Sequence, residues 1–245
     1  MIVVKSPEEL ALMREGGRIL REVLEQLAAA VVAGMRTRDL DEVVEREFKK
    51  RGVVASFKGY HGYPASVCVS VNDEIVHGIP GTRVICEGDV VSLDLGVLHR
   101  GFHTDAAVTV GVGGVEAGAK RLIEVTRGAL KAGVVCARAG NHLGDISAAI
   151  QRHVEGNGFA VVREYTGHGV GRELHEEPQI PNFSCGKGPV LRKGMTLAIE
   201  PMVTNGGWRT KVAPNKWTVL TTDGSLSAHF EHTLAVTDGE PELFA

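Results

Sequence analysis

Shifted along itself by 106 residues, this chain meets its own pattern. Ala33-Gly34, Asp39, Leu40, Val44, Arg46 and Gly52 fall beside Ala139-Gly140, Asp145, Ile146, Ile150, Arg152 and Gly158. The same offset carries Val84, Gly88, Val91, Leu93 and Asp94 onto Val190, Gly194, Leu197, Ile199 and Glu200. A duplication that runs from helical spacing into strand-like sequence, and ends each time on an acid, restricts the fold to two like halves, about 1–112 and 113–245. Each half reads as two helices followed by strands, and no Pro/Gly/Ser-rich linker divides them into separate units. That order favours an α+β layer architecture, with helices covering one face of a mostly antiparallel sheet, over an alternating βαβ fold.

The helix signals are local and specific. Ser6-Pro7-Glu8-Glu9 supplies an N-cap, a proline at the first helical position and a capping-box glutamate, with Leu10, Met13, Leu20, Leu24 and Leu27 following along the helix. A second helix is expected from a Thr37 cap to a Gly52 stop, with Leu40, Val43, Val44 and Phe48 on its apolar face.

With 43% apolar residues in 245, the chain can bury a sizeable core. The net charge of −3 is spread through interleaved acids and bases, which provides no footprint for nucleic acid or an anionic membrane. Cys68, Cys86, Cys136 and Cys185 form no CxxC pair and are expected to be reduced thiols. The first residues carry too short an apolar stretch for a signal peptide, and no run approaches the ~20 apolar residues of a membrane span. A cytoplasmic protein is expected, and a monomer by default, since no heptad pattern stands out.

Several acids occupy positions where acids are costly. Asp94 sits in Asp89-Val-Val-Ser-Leu-Asp-Leu-Gly96, apolar on both sides, although Asp is depleted in strands and seldom buried unpaired. Past a turn near His99-Arg100-Gly101, a second strand from about Thr104 to Val110 carries Asp105. A hairpin centred between His99 and Arg100 would set Asp94 directly opposite Asp105, where two like charges repel. The second half repeats the oddity with Glu200 after Thr-Leu-Ala-Ile and Glu231 within His229–Val236, and the glycine-rich Thr166–Gly171 adds His168. Taken singly, a strand Asp usually faces solvent and a loop His makes an ordinary hydrogen bond. Together, four carboxylates and one imidazole form a hard ligand set suited to divalent ions, and two dications would neutralise the four charges. Carboxylates shared by two ions about 3.5–4 Å apart are a feature of dinuclear hydrolases.

In these residues the chain resembles the methionine aminopeptidases, in their short type I form. The blocks that carry the likeness are Tyr60–Cys68, Asn72–Pro80, Asp94 and Asp105 at their spacing, Gly167–Arg172, His175–Pro178, Ile199–Met202 and Glu231-His-Thr, in order along nearly the whole chain. The resemblance implies the duplicated pita-bread fold, a curved sheet with pseudo-two-fold symmetry forming a single catalytic domain. It implies a water-activating pair of divalent ions (Co, Mn, Fe, Zn or Mg) in which Asp94 holds one ion, Asp105 and Glu231 bridge both, and His168 and Glu200 complete the other shell. By the same likeness Glu200 shuttles a proton, His175 polarises the scissile carbonyl and His77 contacts the amide nitrogen beyond it. Tyr60, Tyr63, Cys68 and Trp217 match the lining of the methionine pocket. Leu174, where the family commonly has an aromatic, and Phe57, at a position often small, depart from the pattern and bear on the pocket's shape.

The implied substrates are the N-termini of nascent polypeptides with a small second residue, and any docking at the ribosome falls to the domain surface. Two other readings stay open. One is a proline-directed peptidase of the same fold, although such enzymes usually carry an N-terminal domain for which a first helix starting at Ser6 leaves no room. The other is a non-enzymatic binding module on that fold.

Overall fold

The computed structural model describes residues 2–245. Helix α1 (Pro7–Ala30) starts as its sequence dictates: the Glu9 N–H donates to Ser6 Oγ at 3.3 Å, and the Ser6 N–H donates to Glu9 Oε2 at 2.9 Å. It buries Met13, Leu20, Val23, Leu24 and Leu27. Helix α2 (Thr37–Arg51) ends on Gly52 at φ 67°, a left-handed position that favours glycine. Its start differs from expectation. Arg36, not Thr37, is the cap residue, and its N–H donates to Asp39 Oδ2 at 2.8 Å. The Thr37 hydroxyl is instead occupied with the backbone of Gly81, whose N–H donates to it at 2.8 Å.

Helices α3 (Ala117–Cys136) and α4 (Leu143–Gly156) repeat the plan in detail. The His142 N–H donates to Asp145 Oδ2 at 2.8 Å, as Arg36 does to Asp39. Gly34 and Gly140 share φ 93°, and the isolated bridges Arg36–Val84 and His142–Val190 are related by the same offset of 106. The two largest apolar clusters follow the halves, one centred on α1, α2 and the first-half strands, the other on α3, α4 and the second-half strands.

A nine-stranded antiparallel sheet joins the halves. Its principal strands are β1 (Cys68–Val71), β2 (Val90–His99), β3 (Phe102–Gly111), β4 (Thr166–Gly169), β5 (Glu176–Pro181), β6 (Thr196–Ile199) and β7 (Glu231–Ala235). The central order is β2, β3, β7, β6, β4, β5, with β1 pairing β2. Strand β4 is squeezed between neighbours, and both glycines beside His168 are needed there. A Cβ on Gly167 would stand 2.5 Å from the Ala198 carbonyl oxygen, and one on Gly169 would stand 2.3 Å from that of Glu177.

The start of β5 is tied down from the N-terminus. Lys5 Nζ lies 2.5 Å from Glu176 Oε2, with side-chain exposures of 2% and 11%. Breaking a buried pair leaves an uncompensated charge costing about 3–5 kcal/mol. Lys5→Ala is therefore expected to lower the melting temperature by about 10 °C, at roughly 2–4 °C per kcal/mol for a chain of this size. Thermal unfolding checks it, and an unchanged melting temperature would show that Glu176 is satisfied without the ammonium.

Candidate metal centre and active-site pocket

Strand register places the acids. In the β2–β3 hairpin Asp94 pairs with Ala107 and Asp105 pairs with Gly96. The two aspartates are therefore diagonal neighbours on one face, not directly opposed. The reason lies in the turn. Arg100 (φ 50°) and Gly101 (φ 85°) both take positive φ, as the central pair of a two-residue hairpin turn requires, so the hairpin centre lies one residue beyond the expected place.

Two rows cross the sheet. In the first, Cys68 pairs with Asp94, Asp94 with Ala107, and Ala107 with Glu231. Glu200 extends that row, because Ile199 pairs with His232 and the two glutamates follow and precede that pair. In the second row Gly96 pairs with Asp105, and Thr233 and Ala198 lead on to His168. Asp105 and Thr233 are clamped together: the Asp105 N–H donates to Thr233 Oγ1 at 2.8 Å, and that hydroxyl donates to the Asp105 carbonyl at 2.7 Å. Ala107 separates Asp94 from Glu231, and Gly96 and Ala198 leave room in the second row.

The ligand atoms of Asp105, His168 and Glu231 lie within 4.8 Å of one another, as do those of Glu200, His229 and Glu231. His168 Nε2 is 3.5 Å from Glu200 Oε1. Asp94, Asp105, His168 and Glu231 are buried, and Asp94 Oδ1 and Glu231 Oε1 have no hydrogen-bond partner. Orphaned carboxylate oxygens converging in one place need a cation, and this donor set fits hard divalent ions.

A cavity of about 410 Å³ opens over these donors. Every residue singled out from the sequence lines it: Tyr60, Tyr63, Cys68, His77, Asp94, Asp105, His168, His175, Glu200, Trp217 and Glu231, together with Phe57 and Leu174. The rings of Tyr63 and Trp217 meet edge to face with centroids 5.1 Å apart. The Tyr63 hydroxyl donates to the carbonyl oxygen of Gly78 (2.9 Å) or Val67 (3.2 Å), so its polar end is directed at the backbone. The His175 ring packs against that of His168, centroids 4.3 Å apart and planes tilted by 59°, and its Nδ1 is 2.8 Å from the Tyr60 hydroxyl. His77 is held at φ 59°, a strained conformation for a non-glycine residue, with its ring near those of Tyr165 and Trp217.

One residue of the cluster escaped the sequence reading. His229 is 1% exposed and points at the centre from the short strand Ser227–His229. Its spacing of two from Glu231 was the available signal, since residues two apart in extended chain share a face.

Burial dominates the site's titration. It raises Asp105 to about 7 and, with the negative charge of neighbouring acids, holds Asp94, Glu200 and Glu231 well above the ordinary carboxylate range. Burial also lowers His77 to about 4 and His168 and His229 to about 3. An acid with a raised folded pKa keeps a proton that the unfolded chain has released, so its contribution is lost as pH rises through the folded value. A histidine with a depressed value costs stability only as pH falls below its unfolded value of about 6.5. Above that point the acids act alone. Ion-free protein is therefore expected to lose stability as pH rises above about 6.5, through the value of about 7 for Asp105, at about 1.4 kcal/mol per proton per pH unit. Divalent ions, which bind the ionised carboxylates, should flatten the fall. Melting curves with and without EDTA measure both effects, and an ion-free melting temperature that rises across this range would contradict the burial of the four acids.

Known proteins resemble this chain in sequence and in fold. The chain matches metallopeptidase family M24 over residues 11–238. Methionine aminopeptidase 1 of Bacillus subtilis is 50% identical over 239 residues, covering 97% of this chain and 96% of that protein. The crystal structure of a methionine aminopeptidase from Thermotoga maritima superposes with a TM-score of 0.98 at 48% identity, covering 100% of this chain and 99% of that one. A prolidase from Pyrococcus horikoshii, 22% identical with a TM-score of 0.80, is covered over 63% of its length and shares the fold. With a family match across nearly its whole length and relatives of this identity and coverage, the chain belongs to metallopeptidase family M24, among the methionine aminopeptidases.

Proposed function

We propose that this chain hydrolyses the N-terminal methionine from peptides and newly made proteins whose second residue is small, at a centre of two divalent ions. The observation that carries the reading is the convergence of four buried or half-buried carboxylates, two with unpaired oxygens, beneath a pocket walled by aromatic rings. Asp94 would hold one ion, Asp105 and Glu231 both, and His168 and Glu200 the other. Ions in such a set supply Lewis acidity for the scissile carbonyl and a water acidified to near neutral pKa.

The chain's own groups divide the remaining work. Glu200, in the cavity lining beside His168, takes the proton of the attacking water and returns it to the departing amine. The Tyr60 hydroxyl, by donating to His175 Nδ1, leaves the proton on Nε2, which then donates to the carbonyl oxygen as negative charge develops there. His77 engages the amide nitrogen past the scissile bond. Tyr60, Tyr63, Cys68 and Trp217 close around the methionine thioether, which gains from dispersion and burial. Leu174 and Phe57, 2% and 8% exposed, shape the same wall. A narrow site beyond the scissile bond would admit small second side chains and reject large ones by steric clash.

No helix among the described residues is long and apolar enough to cross a membrane, and the net charge of −3 is balanced along the chain. We take the chain to act as a monomer in the cytoplasm on the N-termini of nascent chains, without nucleic acid or membrane as partner. Which ion serves, among Co, Mn, Fe, Zn and Mg, follows from availability as much as from affinity.

Release of methionine from Met-Ala-Ser, measured against Met-Leu-Ser and Ala-Pro with metal content determined in parallel, tests the proposal. Turnover of Met-Ala-Ser alone, dependent on added divalent ion, is expected. Cleavage of Ala-Pro would point to a proline-directed enzyme, and no turnover with no bound ion would leave a binding module.

A further inference from the structure

Glu200 stands between two imidazoles. Its Oε1 lies 3.5 Å from His168 Nε2, and its Oε2 lies 3.4 Å from His229 Nε2. His168 lines the cavity, whereas His229 does not and meets Glu200 from the protein side. His229 Nε2 has no hydrogen-bond partner, an unfavourable state for a buried polar atom. The residue is nevertheless firmly placed. Its N–H donates to Thr109 Oγ1 at 2.8 Å, that hydroxyl donates to the His229 carbonyl at 2.7 Å, and Ser92 Oγ lies 2.8 Å from the same Thr109 oxygen. His229 also pairs with Met202, two residues past Glu200, so one short ladder fixes both partners.

We infer that His229 is a positioning residue for Glu200: its Nε2–H donates to Oε2 and orients the carboxylate so that Oε1 stays beside His168. This rests on the role given to Glu200 under the proposed function. A lone pair on Nε2 facing the carboxylate would be repelled, which selects the tautomer with the proton there. The 3.4 Å approach becomes a hydrogen bond after a small rotation of the carboxylate. Groups that orient a metal ligand in this way are typically worth about 10–100-fold in ion affinity.

The test uses the full chain stripped of ions with EDTA. Mn²⁺ binding is measured by calorimetry for the wild type, His229→Leu and His229→Gln, with methionine release from Met-Ala-Ser followed alongside. His229→Leu is expected to weaken Mn²⁺ binding by about 10–100-fold. His229→Gln, which keeps a side-chain N–H, should recover most of that loss. Wild-type affinity in His229→Leu, or equal weakening in both variants, would overturn the inference. Should His229→Leu fail to fold, nitrogen NMR of the Mg²⁺-loaded wild type decides: a proton on His229 Nε2 supports the inference and an unprotonated Nε2 overturns it. A wild type that binds no Mn²⁺ and releases no methionine defeats the proposed function itself, whereas an active wild type beside an unaffected His229→Leu defeats only the positioning role.

Discussion

Asp105→Asn is expected to lose divalent ions and methionine release together while keeping its fold. Asp105 occupies the second row of the sheet, on the same face as the Asp94–Ala107–Glu231 row, where its carboxylate faces both His168 and Glu231. Its backbone is held by the reciprocal Thr233 hydrogen bonds, which the side-chain change leaves in place. Asparagine preserves the volume but offers one neutral oxygen where a carboxylate offered two charged ones. Loss of Lewis-acid stabilisation worth several kcal/mol, at 1.36 kcal/mol per tenfold, corresponds to a fall in turnover of about 10³-fold. The ion-free variant should be at least as stable as ion-free wild type, because one of four crowded buried acids has gone. Metal analysis and turnover of Met-Ala-Ser check the first part, and melting in EDTA checks the second. Full ion content with full activity would remove Asp105 from the centre.

His175→Ala is expected to behave differently, with kcat falling by about 10²–10³-fold while ions are retained and KM changes little. The histidine sits over His168 and is aimed by Tyr60, so its Nε2–H meets a carbonyl oxygen that grows more negative as the reaction proceeds. A contact that strengthens in this way acts on the barrier more than on binding. Tyr60→Phe, which removes the group that sets the tautomer but not the donor, should cost less, about tenfold. Steady-state kinetics with metal analysis separates these outcomes. Loss of ions in His175→Ala would mean that the residue supports the centre and not the transition state.

Much of this architecture can be read from residues alone, because the signals are local or repeated. Ser6 and Glu9 cap α1 by a mechanism complete within four residues, and Gly34 and Gly140 mark the duplicated turns by their shared need for positive φ. The buried acids announce themselves by contradicting their strands. What depends on a register or a long-range partner is harder to see. The hairpin turn shifts by one residue because Arg100 accepts a positive φ beside Gly101, which turns an expected face-to-face Asp pair into a diagonal one. Both arrangements keep the acids on one face, so the ligand set survives the error. Thr37 reads as a cap, yet its hydroxyl is taken by Gly81, 44 residues away, and Asp39 caps the helix from inside. His229 is hidden for a similar reason: its partner, Glu200, lies just past the end of β6, and only the assembled sheet brings their side chains to 3.4 Å.

The centre itself is tested most directly by anomalous diffraction from crystals soaked in Mn²⁺. Two peaks are expected, about 3.5–4 Å apart. Asp105 and Glu231 should reach both, Asp94 one, and His168 with Glu200 the other. No peak among these side chains, or ions bound elsewhere while methionine release continues, would contradict a dinuclear centre built from the two halves.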